Sequence, residues 1–371
     1  MAHTMLAALV ETPGHEVLLD HVDIADPAPG EVLVRVDTAA VCATDLHIME
    51  GLLPFPMPAI CGHEVAGVVA EVGRDVHSIA PGTRVLLNPR PPCGTCYWCL
   101  RGQQQLCSAS LGWATGLMSD GDSRLTHRGR TVYRGVGLAG FAEYCIVPQA
   151  GAIPIPDDMP MHLAAVVGCA VMTGVGAVFN TAGVEPGATV VVLGLGGVGG
   201  AMVQAARIAG ARLIVGVDPV APRRRQAQRF GAHAVVGSED RELEQVVADL
   251  TGGIGADHVL DATGDVAMIE RGLAISRPGG TLVLAGLAPA AQDRIAVSTA
   301  ALATGERTVK GSFMGSGVPR REVERMVALW RGGQLDLEAA VGPSWPLAEI
   351  NTALHAARHG STGRVTVAVG G

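Results

Sequence analysis

The sequence predicts an α/β protein of two parts, one β-rich and one built on a doubly wound parallel sheet. Three observations predict it. Short alternating apolar runs separated by turn residues fill the first half. From about residue 174 onward, strand-like and helix-like segments alternate. Between the first of those strands and its helix lies Gly194-Leu-Gly196-Gly197-Val198-Gly199, a glycine-rich turn that can open a helix beneath a phosphate group.

The elements follow in order. Glu31–Val36 alternates as a strand after the turn Pro27–Gly30. Val65–Val72 and Arg84–Leu87 continue the pattern, with Pro81-Gly82 between them. Residues 112–140 are polar, glycine-rich and weakly patterned, which predicts a long loop or short hairpins. Leu163–Val184 carries no charge and is long enough to span a bilayer. Its glycines Gly168, Gly174, Gly176 and Gly183, and its lack of an aromatic belt, predict a buried helix broken near its middle. Thr189–Leu193, Leu213–Val217, Ala234–Val236, His258–Asp261 and Thr281–Leu284 then read as strands. Helices are predicted at Val198–Ala209, Pro222–Phe230, Glu239–Leu250 and Val266–Ser276. Pro222 near a helix start and Gly231 just past its end match the usual capping asymmetry. Arg321–Trp330 and Leu347–His359 are amphipathic helices, and Arg364–Ala368 is a terminal strand.

The 371 residues suit about two domains. A charged fraction of 17% against 48% hydrophobic residues excludes a disordered chain. A net charge of -8 without a basic run argues against nucleic acid or an anionic membrane as partner. Met1–Met5 lacks the basic-then-apolar pattern of an export signal, so a cytoplasmic home with reduced cysteines is expected.

Cys93, Cys96, Cys99 and Cys107 are separated by two, two and seven residues. That spacing can close a tetrahedral shell of four thiolates around one zinc ion, leaving no open position for chemistry, so the site would be structural. Disulfides or an iron–sulfur cluster are the competing readings, and disulfides need an oxidising compartment.

The glycine turn follows a strand, opens a helix and is followed by Asp218 at the end of the next strand. In that context it is a Rossmann fingerprint. Gly194 would allow the turn, Gly196 the approach of a pyrophosphate, and Gly199 close helix–sheet packing. Asp218 would accept ribose hydroxyls and repel a 2′-phosphate, favouring NAD. Arg223, Arg224 and Arg225 work against that preference.

Three further segments carry candidate ligands: Val41-Cys42-Ala-Thr44-Asp45-Leu-His47, Cys61-Gly62-His63-Glu64 and Gly168-Cys169-Ala-Val-Met-Thr173-Gly174. Two thiolates and one imidazole leave a fourth tetrahedral position open. Asp45 reads better as an orienter of a metal-bound histidine than as a catalyst. Cys61 and Cys145 read as buried packing residues.

Taken together, these motifs resemble the zinc-dependent alcohol dehydrogenases of the medium-chain dehydrogenase/reductase family, over essentially the whole chain. The resemblance implies a β-rich GroES-like catalytic domain over 1–173 and 313–371, with a zinc lobe at about 90–110, and an NAD-binding Rossmann domain over 174–312. It implies two zinc ions per subunit: a catalytic one on Cys42, His63 and Cys169, with Glu64 beside it, and the structural one. It makes Thr44 the inner hydroxyl and His47 the outer base of a proton relay. It places Gly194, Gly196, Gly197, Val198, Gly199, Asp218, Arg223 and Arg364 on the cofactor, with Arg364 against its phosphates. Leu53, Pro89 and Gly112 would line the substrate channel.

Two departures bear on function. Ala43 stands where many members carry Arg or His against the pyrophosphate. Glu50–Leu53 only partly meets the pattern of glutathione-dependent formaldehyde dehydrogenases. Ala177–Thr181 and Gly311–Gly315 do resemble that branch and its relatives for long-chain, benzylic and terpenoid alcohols. The expected function is reversible hydride transfer between NAD and a primary alcohol or aldehyde, aromatic, terpenoid or medium-chain. The rival substrate is a thiol adduct, an S-hydroxymethyl or S-nitroso conjugate. A rival of another class is a non-catalytic NAD-binding zinc protein. A homo-oligomer, dimer or tetramer, is expected.

Overall fold

A computed structural model describes residues 3–110, 112–237 and 243–370. The chain divides into two compact units. The first comprises Met1–Cys169, Val318–Val323 and Val341–Gly371; the second comprises Ala170–Gly317 and Glu324–Ala340.

The first unit holds two sheets. The larger runs in the order Ala152–Pro154, Arg84–Leu87, Glu64–Val72, Glu31–Ala40, Arg364–Ala368, Val341–Pro346, and Tyr144–Pro148 also pairs with Glu31–Ala40. Its central strand, Glu31–Ala40, is buried along most of its length, with Arg35 the one exposed position. The second sheet runs Arg130–Thr131, Leu125–His127, Leu18–Ile24, His3–Val10, Ala59–Ile60, Tyr133–Arg134. Phe141, Met5, Leu9, Leu33 and Ile146 fill the shared core. Register fixes where chemistry can occur. Ala40 faces Glu64 on one side and Thr366 on the other. Cys42, His63 and Arg364, each within two residues of those positions, therefore arrive at one end of the sheet.

The second unit is a parallel six-stranded sheet in the order Ala234–Val236, Leu213–Val217, Thr189–Leu193, Ala256–Asp261, Ser276–Leu284, Thr308–Gly311. In order along the chain these are strands 3-2-1-4-5-6, the doubly wound arrangement that binds dinucleotides where the order reverses. Thr189–Leu193 and Leu213–Val217 are buried throughout, as strands covered on both faces must be. Helix Ala221–Phe230 ends on Gly231 at φ 114, a left-handed cap open to glycine.

The division at 173/174 and 312/313 expected from sequence differs from these units. Residues 324–340 lie in the second unit because their backbone is tied there: Asp336 N donates to Gln204 Oε1 at 2.7 Å, and Arg207 donates to Gln334 O at 2.5 Å. The expected break in the long apolar helix is also absent. Met161–Ala182 runs on, with π-helical turns at Val167–Val171 and Ala177–Ala182 that absorb extra residues without ending the hydrogen-bond ladder. Its glycines serve close approach instead: a side chain at Gly174 would lie 2.4 Å from Val198 O. The helix is long and apolar enough to cross a membrane, but 89% of its apolar window is buried inside the protein.

Residues 112–140 contain a helix at Gly112–Thr115 and a short hairpin, Leu125–His127 with Arg130–Thr131. The helix expected at Glu239–Leu250 is seen as Leu243–Thr251; positions 239–242 of that expectation lie outside the described residues. Strands His3–Val10, Leu18–Ile24 and Val341–Pro346 were not anticipated from the sequence.

Candidate active site and metal centres

Cys42 ends the segment after strand Glu31–Ala40 and caps helix Ala43–Met49. His63 immediately precedes and Glu64 begins the neighbouring strand, and Cys169 sits in the first π-helical turn. The donor atoms of Cys42, His63, Glu64 and Cys169 all lie within 4.8 Å of one another, and all four residues are buried. Asp45 organises them. Its carboxylate is fully buried and accepts from Cys42 N at 3.1 Å and Gly62 N at 2.9 Å, while Oδ1 lies 3.0 Å from His63 Nδ1. Engaging Nδ1 leaves Nε2 to face the thiols, the orientation that a carboxylate partner gives a metal-ligating histidine.

The charges in this cluster are mutually adjusted. A hydrogen bond from Cys169 pulls the Cys42 thiol well below its usual range, and Arg364 and His63 reinforce the effect. Burial disfavours the charged form of His63, but the facing Asp45 and Cys42 overcome it and raise its pKa. Burial pushes Glu64 up to about 8 against the opposing pull of Arg364. Arg364 reaches within 2.9 Å of Glu64 Oε1 and 3.8 Å of Cys42 Sγ. The approach to Glu64 is an ion pair without hydrogen-bond alignment: both Glu64 oxygens and Arg364 Nε lack hydrogen-bond partners among the described residues. The arginine expected against cofactor phosphates thus also approaches the carboxylate beside the donor cluster. Two thiols, an imidazole and a carboxylate with unbonded oxygens fit a divalent cation of borderline softness such as zinc.

Thr44 and His47 lie three residues apart on helix Ala43–Met49, on one face. The Thr44 hydroxyl is 4.0 Å from Cys42 Sγ. His47 Nδ1 is buried and has no hydrogen-bond partner among the described residues.

The second cysteine set lies in a lobe around the short helix Tyr97–Leu100. The sulfurs of Cys93, Cys96, Cys99 and Cys107 lie within 4.8 Å of one another, and none is in a disulfide. Cys96 and Cys107 sulfurs are 3.9 Å apart, close to the edge of about 3.8 Å expected for a tetrahedron with zinc–sulfur bonds of about 2.3 Å. Backbone N–H groups of Cys93 and Cys96 point at sulfurs 3.3 and 3.4 Å away, which supports thiolate charge. Cys61 and Cys145 stand apart from both sets. Burial raises both thiols, Cys145 to about 12, as suits packing residues.

In the second unit, Gly194 has φ 83, and a side chain at Gly199 would collide with Gly194 O at 1.7 Å. A side chain at Gly196 would meet no atom within 4 Å, so the turn leaves open space for a ligand there. Gly197 and Val198 begin the helix Gly197–Ile208, whose free N–H groups favour a phosphate. Asp218 accepts from Leu195 N and Val220 N, each at 2.8 Å, which ties the turn to the next strand. Arg223 approaches its carboxylate at 3.8 Å. Sequence reasoning missed Asp261. This fully buried carboxylate ends strand Ala256–Asp261 and holds the loop beyond it, accepting from Thr263 N at 3.0 Å and Gly264 N at 3.1 Å.

Residues 28–157 match the family model for the alcohol dehydrogenase GroES-like domain, and residues 197–331 match that for the zinc-binding dehydrogenase. The chain is 34% identical over 337 residues to alcohol dehydrogenase B of Mycobacterium tuberculosis, covering 90% of each. It belongs to the zinc-type alcohol dehydrogenases of the medium-chain dehydrogenase/reductase family. It is also 35% identical to an S-(hydroxymethyl)glutathione dehydrogenase of Escherichia coli, covering 97% of this chain and 98% of that protein. The crystal structure of benzyl alcohol dehydrogenase from Acinetobacter calcoaceticus superposes with a TM-score of 0.93 at 28% identity, covering 99% of each chain. The chain is therefore an oxidoreductase with a GroES-like unit and a Rossmann unit, acting on a small-molecule alcohol.

Proposed function

We propose that the protein is a zinc- and NAD-dependent dehydrogenase of an apolar primary alcohol, working reversibly with the aldehyde. The observation that carries this reading is the buried set Cys42, His63, Glu64 and Cys169, brought together beside the Thr44–His47 helix. Cys42, His63 and Cys169 would hold the catalytic zinc, Cys93, Cys96, Cys99 and Cys107 a structural one. When bound, zinc supplies Lewis-acid polarisation of the substrate oxygen, and NAD supplies the hydride acceptor.

The protein's own residues do the rest. Asp45 fixes the His63 ring. Glu64 and Arg364 balance charge at the cluster, Arg364 offsetting the negative charge of two thiolates and a carboxylate. Thr44 takes the substrate hydroxyl proton and His47 serves as the outer base. Gly194, Gly196, Gly197, Val198 and Gly199 would receive the pyrophosphate, and Asp218 the adenosine ribose. Arg223 approaches the Asp218 carboxylate at 3.8 Å and so neighbours that ribose site, and Arg364, by the family resemblance, would also meet the cofactor phosphates.

Leu53, Pro89 and Gly112 carry no charge for an anionic substrate, and Pro89 and Gly112 take little space. An apolar wall rewards each buried methylene by about 0.8 kcal/mol. Catalytic efficiency should therefore rise from ethanol to aromatic, terpenoid or medium-chain alcohols, a reading supported by the benzyl alcohol dehydrogenase likeness. The hydroxymethylglutathione dehydrogenase likeness favours the thiol-adduct substrate as the second reading. NADH formation across an alcohol series, with and without low-molecular-weight thiols, separates the two. A flat profile with chain length, or activity with formaldehyde only when a thiol is added, would overturn the first. A homo-oligomer fits the edge strand Thr308–Gly311, whose residues are all exposed and present unpaired backbone groups.

A further inference from the structure

Two sequence segments that the metal and phosphate sites leave unused, Ala177–Thr181 and Gly311–Gly315, meet in the second unit. The Thr181 hydroxyl lies 2.9 Å from Ser312 Oγ and 2.9 Å from Ser316 Oγ. Thr181 and Ser312 are both buried. A hydroxyl has one proton to give, so Thr181 donates to one serine and accepts from the other. Around this contact Asn180 Nδ2 donates to Gly315 O at 2.9 Å, and Asn180 Oδ1 accepts from Arg325 at 3.1 Å. Lys310, the only lysine in the chain, donates to Thr181 O at 3.2 Å.

The turn so held is an uncommon one. Met314, Gly315 and Ser316 are all left-handed, with φ of 50, 69 and 52. Two of these three carry side chains that disfavour that conformation, and it persists only where surrounding structure enforces it. Close packing adds to the enforcement: a side chain at Gly176 would lie 2.2 Å from Gly315 O, and one at Gly315 would lie 2.3 Å from Met172 O. Thr181 itself sits in a π-helical turn, the second in the helix whose first holds Cys169. Such turns recur at functional positions.

The turn follows the carboxyl end of strand Thr308–Gly311, and Ser312 N donates to Leu284 O, the last residue of the adjacent strand, at 2.8 Å. Carboxyl ends of these strands form the edge on which ligands lie in this fold. Gly194–Gly199 occupies the first half of that edge; strands 4, 5 and 6 supply the second, where the far mononucleotide of a dinucleotide rests.

We propose that Thr181 is a positioning residue for the nicotinamide half of the cofactor, its shared hydroxyl holding the Met314–Ser316 turn in a receptive shape. The proposal rests on the NAD reading above. The test compares wild type, Thr181→Val and Thr181→Ser by equilibrium binding of NADH and of ADP-ribose, which lacks the nicotinamide. Thr181→Val keeps the volume but strands two serine hydroxyls. It should weaken NADH by roughly 5- to 30-fold and leave ADP-ribose affinity unchanged. Thr181→Ser should restore NADH binding. Should Thr181→Val fail to fold, Ser316→Ala, which removes one arm of the contact, decides on the same two ligands. Equal weakening of both ligands, or no weakening of either, would overturn the proposal. Failure of the wild type to bind either ligand would overturn the dinucleotide reading itself.

Discussion

Asp45 offers the sharpest test of how the donor cluster is held. It receives three donors in full burial: Cys42 N, Gly62 N and, across 3.0 Å, His63 Nδ1. Leaving a buried donor unsatisfied costs about 1–3 kcal/mol. Asp45→Ala strands all three, a loss of about 3–9 kcal/mol against a total stability of about 5–15 kcal/mol, so that variant should fold poorly. Asp45→Asn is the informative change. Cys42 N addresses Oδ2, whereas Gly62 N and His63 Nδ1 address Oδ1. An amide can keep its oxygen toward the pair on Oδ1, leaving only Cys42 N facing an NH2 group. The cost to folding is then about 1–3 kcal/mol, within what the protein can bear. The cost to the metal is separate, because the imidazole loses the carboxylate that raises its basicity, which typically weakens zinc binding by about 10–100-fold. Thermal unfolding and zinc retention against a graded chelator measure the two effects. Asp45→Asn should remain folded, keep the cysteine-lobe zinc and release the other at lower chelator concentration. Unchanged retention of both metals, with unchanged turnover, would refute the reasoning.

Three further outcomes are expected. Cys99→Ser, at a buried position in the cysteine lobe, should lower thermal stability and metal content together; full stability with zinc lost from the Cys42 site instead would contradict a structural lobe. NAD should be preferred over NADP by roughly 10²-fold in affinity, through Asp218 facing a 2′-phosphate, and equal efficiency with both would mean that Arg223, Arg224 and Arg225 override it. Thr44→Ala should remove most turnover, in the range of about 10²–10⁴-fold typical of acid–base groups, with His47→Gln milder because solvent can replace an outer base; steady-state rates in which His47→Gln is the more damaging change would reverse the relay order.

What could be read from the sequence was local. Gly194, Gly196 and Gly199 sit at fixed offsets on a strand–turn–helix unit, and the four lobe cysteines lie within one short stretch. Each feature carries its geometry in its spacing. Cys42, His63 and Cys169 are three ordinary residues far apart in the chain, and only likeness to a known family grouped them beforehand. Strand register then decides their meeting, through Ala40 opposite Glu64. The partner of Arg364 was invisible for the same reason: its approach to Glu64 is set by Thr366 pairing with Ala40, a contact across hundreds of residues. The π-helical turns left no compositional mark, since glycine in an apolar run signals a break as readily as a close approach. The grouping of residues 324–340 with the second unit left no local mark either, because the hydrogen bonds that hold them come from Gln204 and Arg207, far upstream.

The two cysteine-bearing sites differ in how much chain must be organised before each exists. The lobe closes within a single short stretch, so its four sulfurs can find one another while the rest of the chain is still unfolded, at the low cost of a small loop. The donors on Cys42, His63 and Cys169 are spread over strands of the first unit and the long helix, and they meet only after Glu31–Ala40 has paired with Glu64–Val72. Assembly therefore has an order. Metal at the lobe would act early, as a nucleus around which neighbouring chain can settle, whereas metal at the second site would arrive last and select the finished structure. Refolding with zinc withheld and then supplied should recover the lobe first, and recovery of activity should lag behind it. Damage to strand pairing anywhere near Ala40 should therefore appear as lost activity in a protein that still carries its first metal ion.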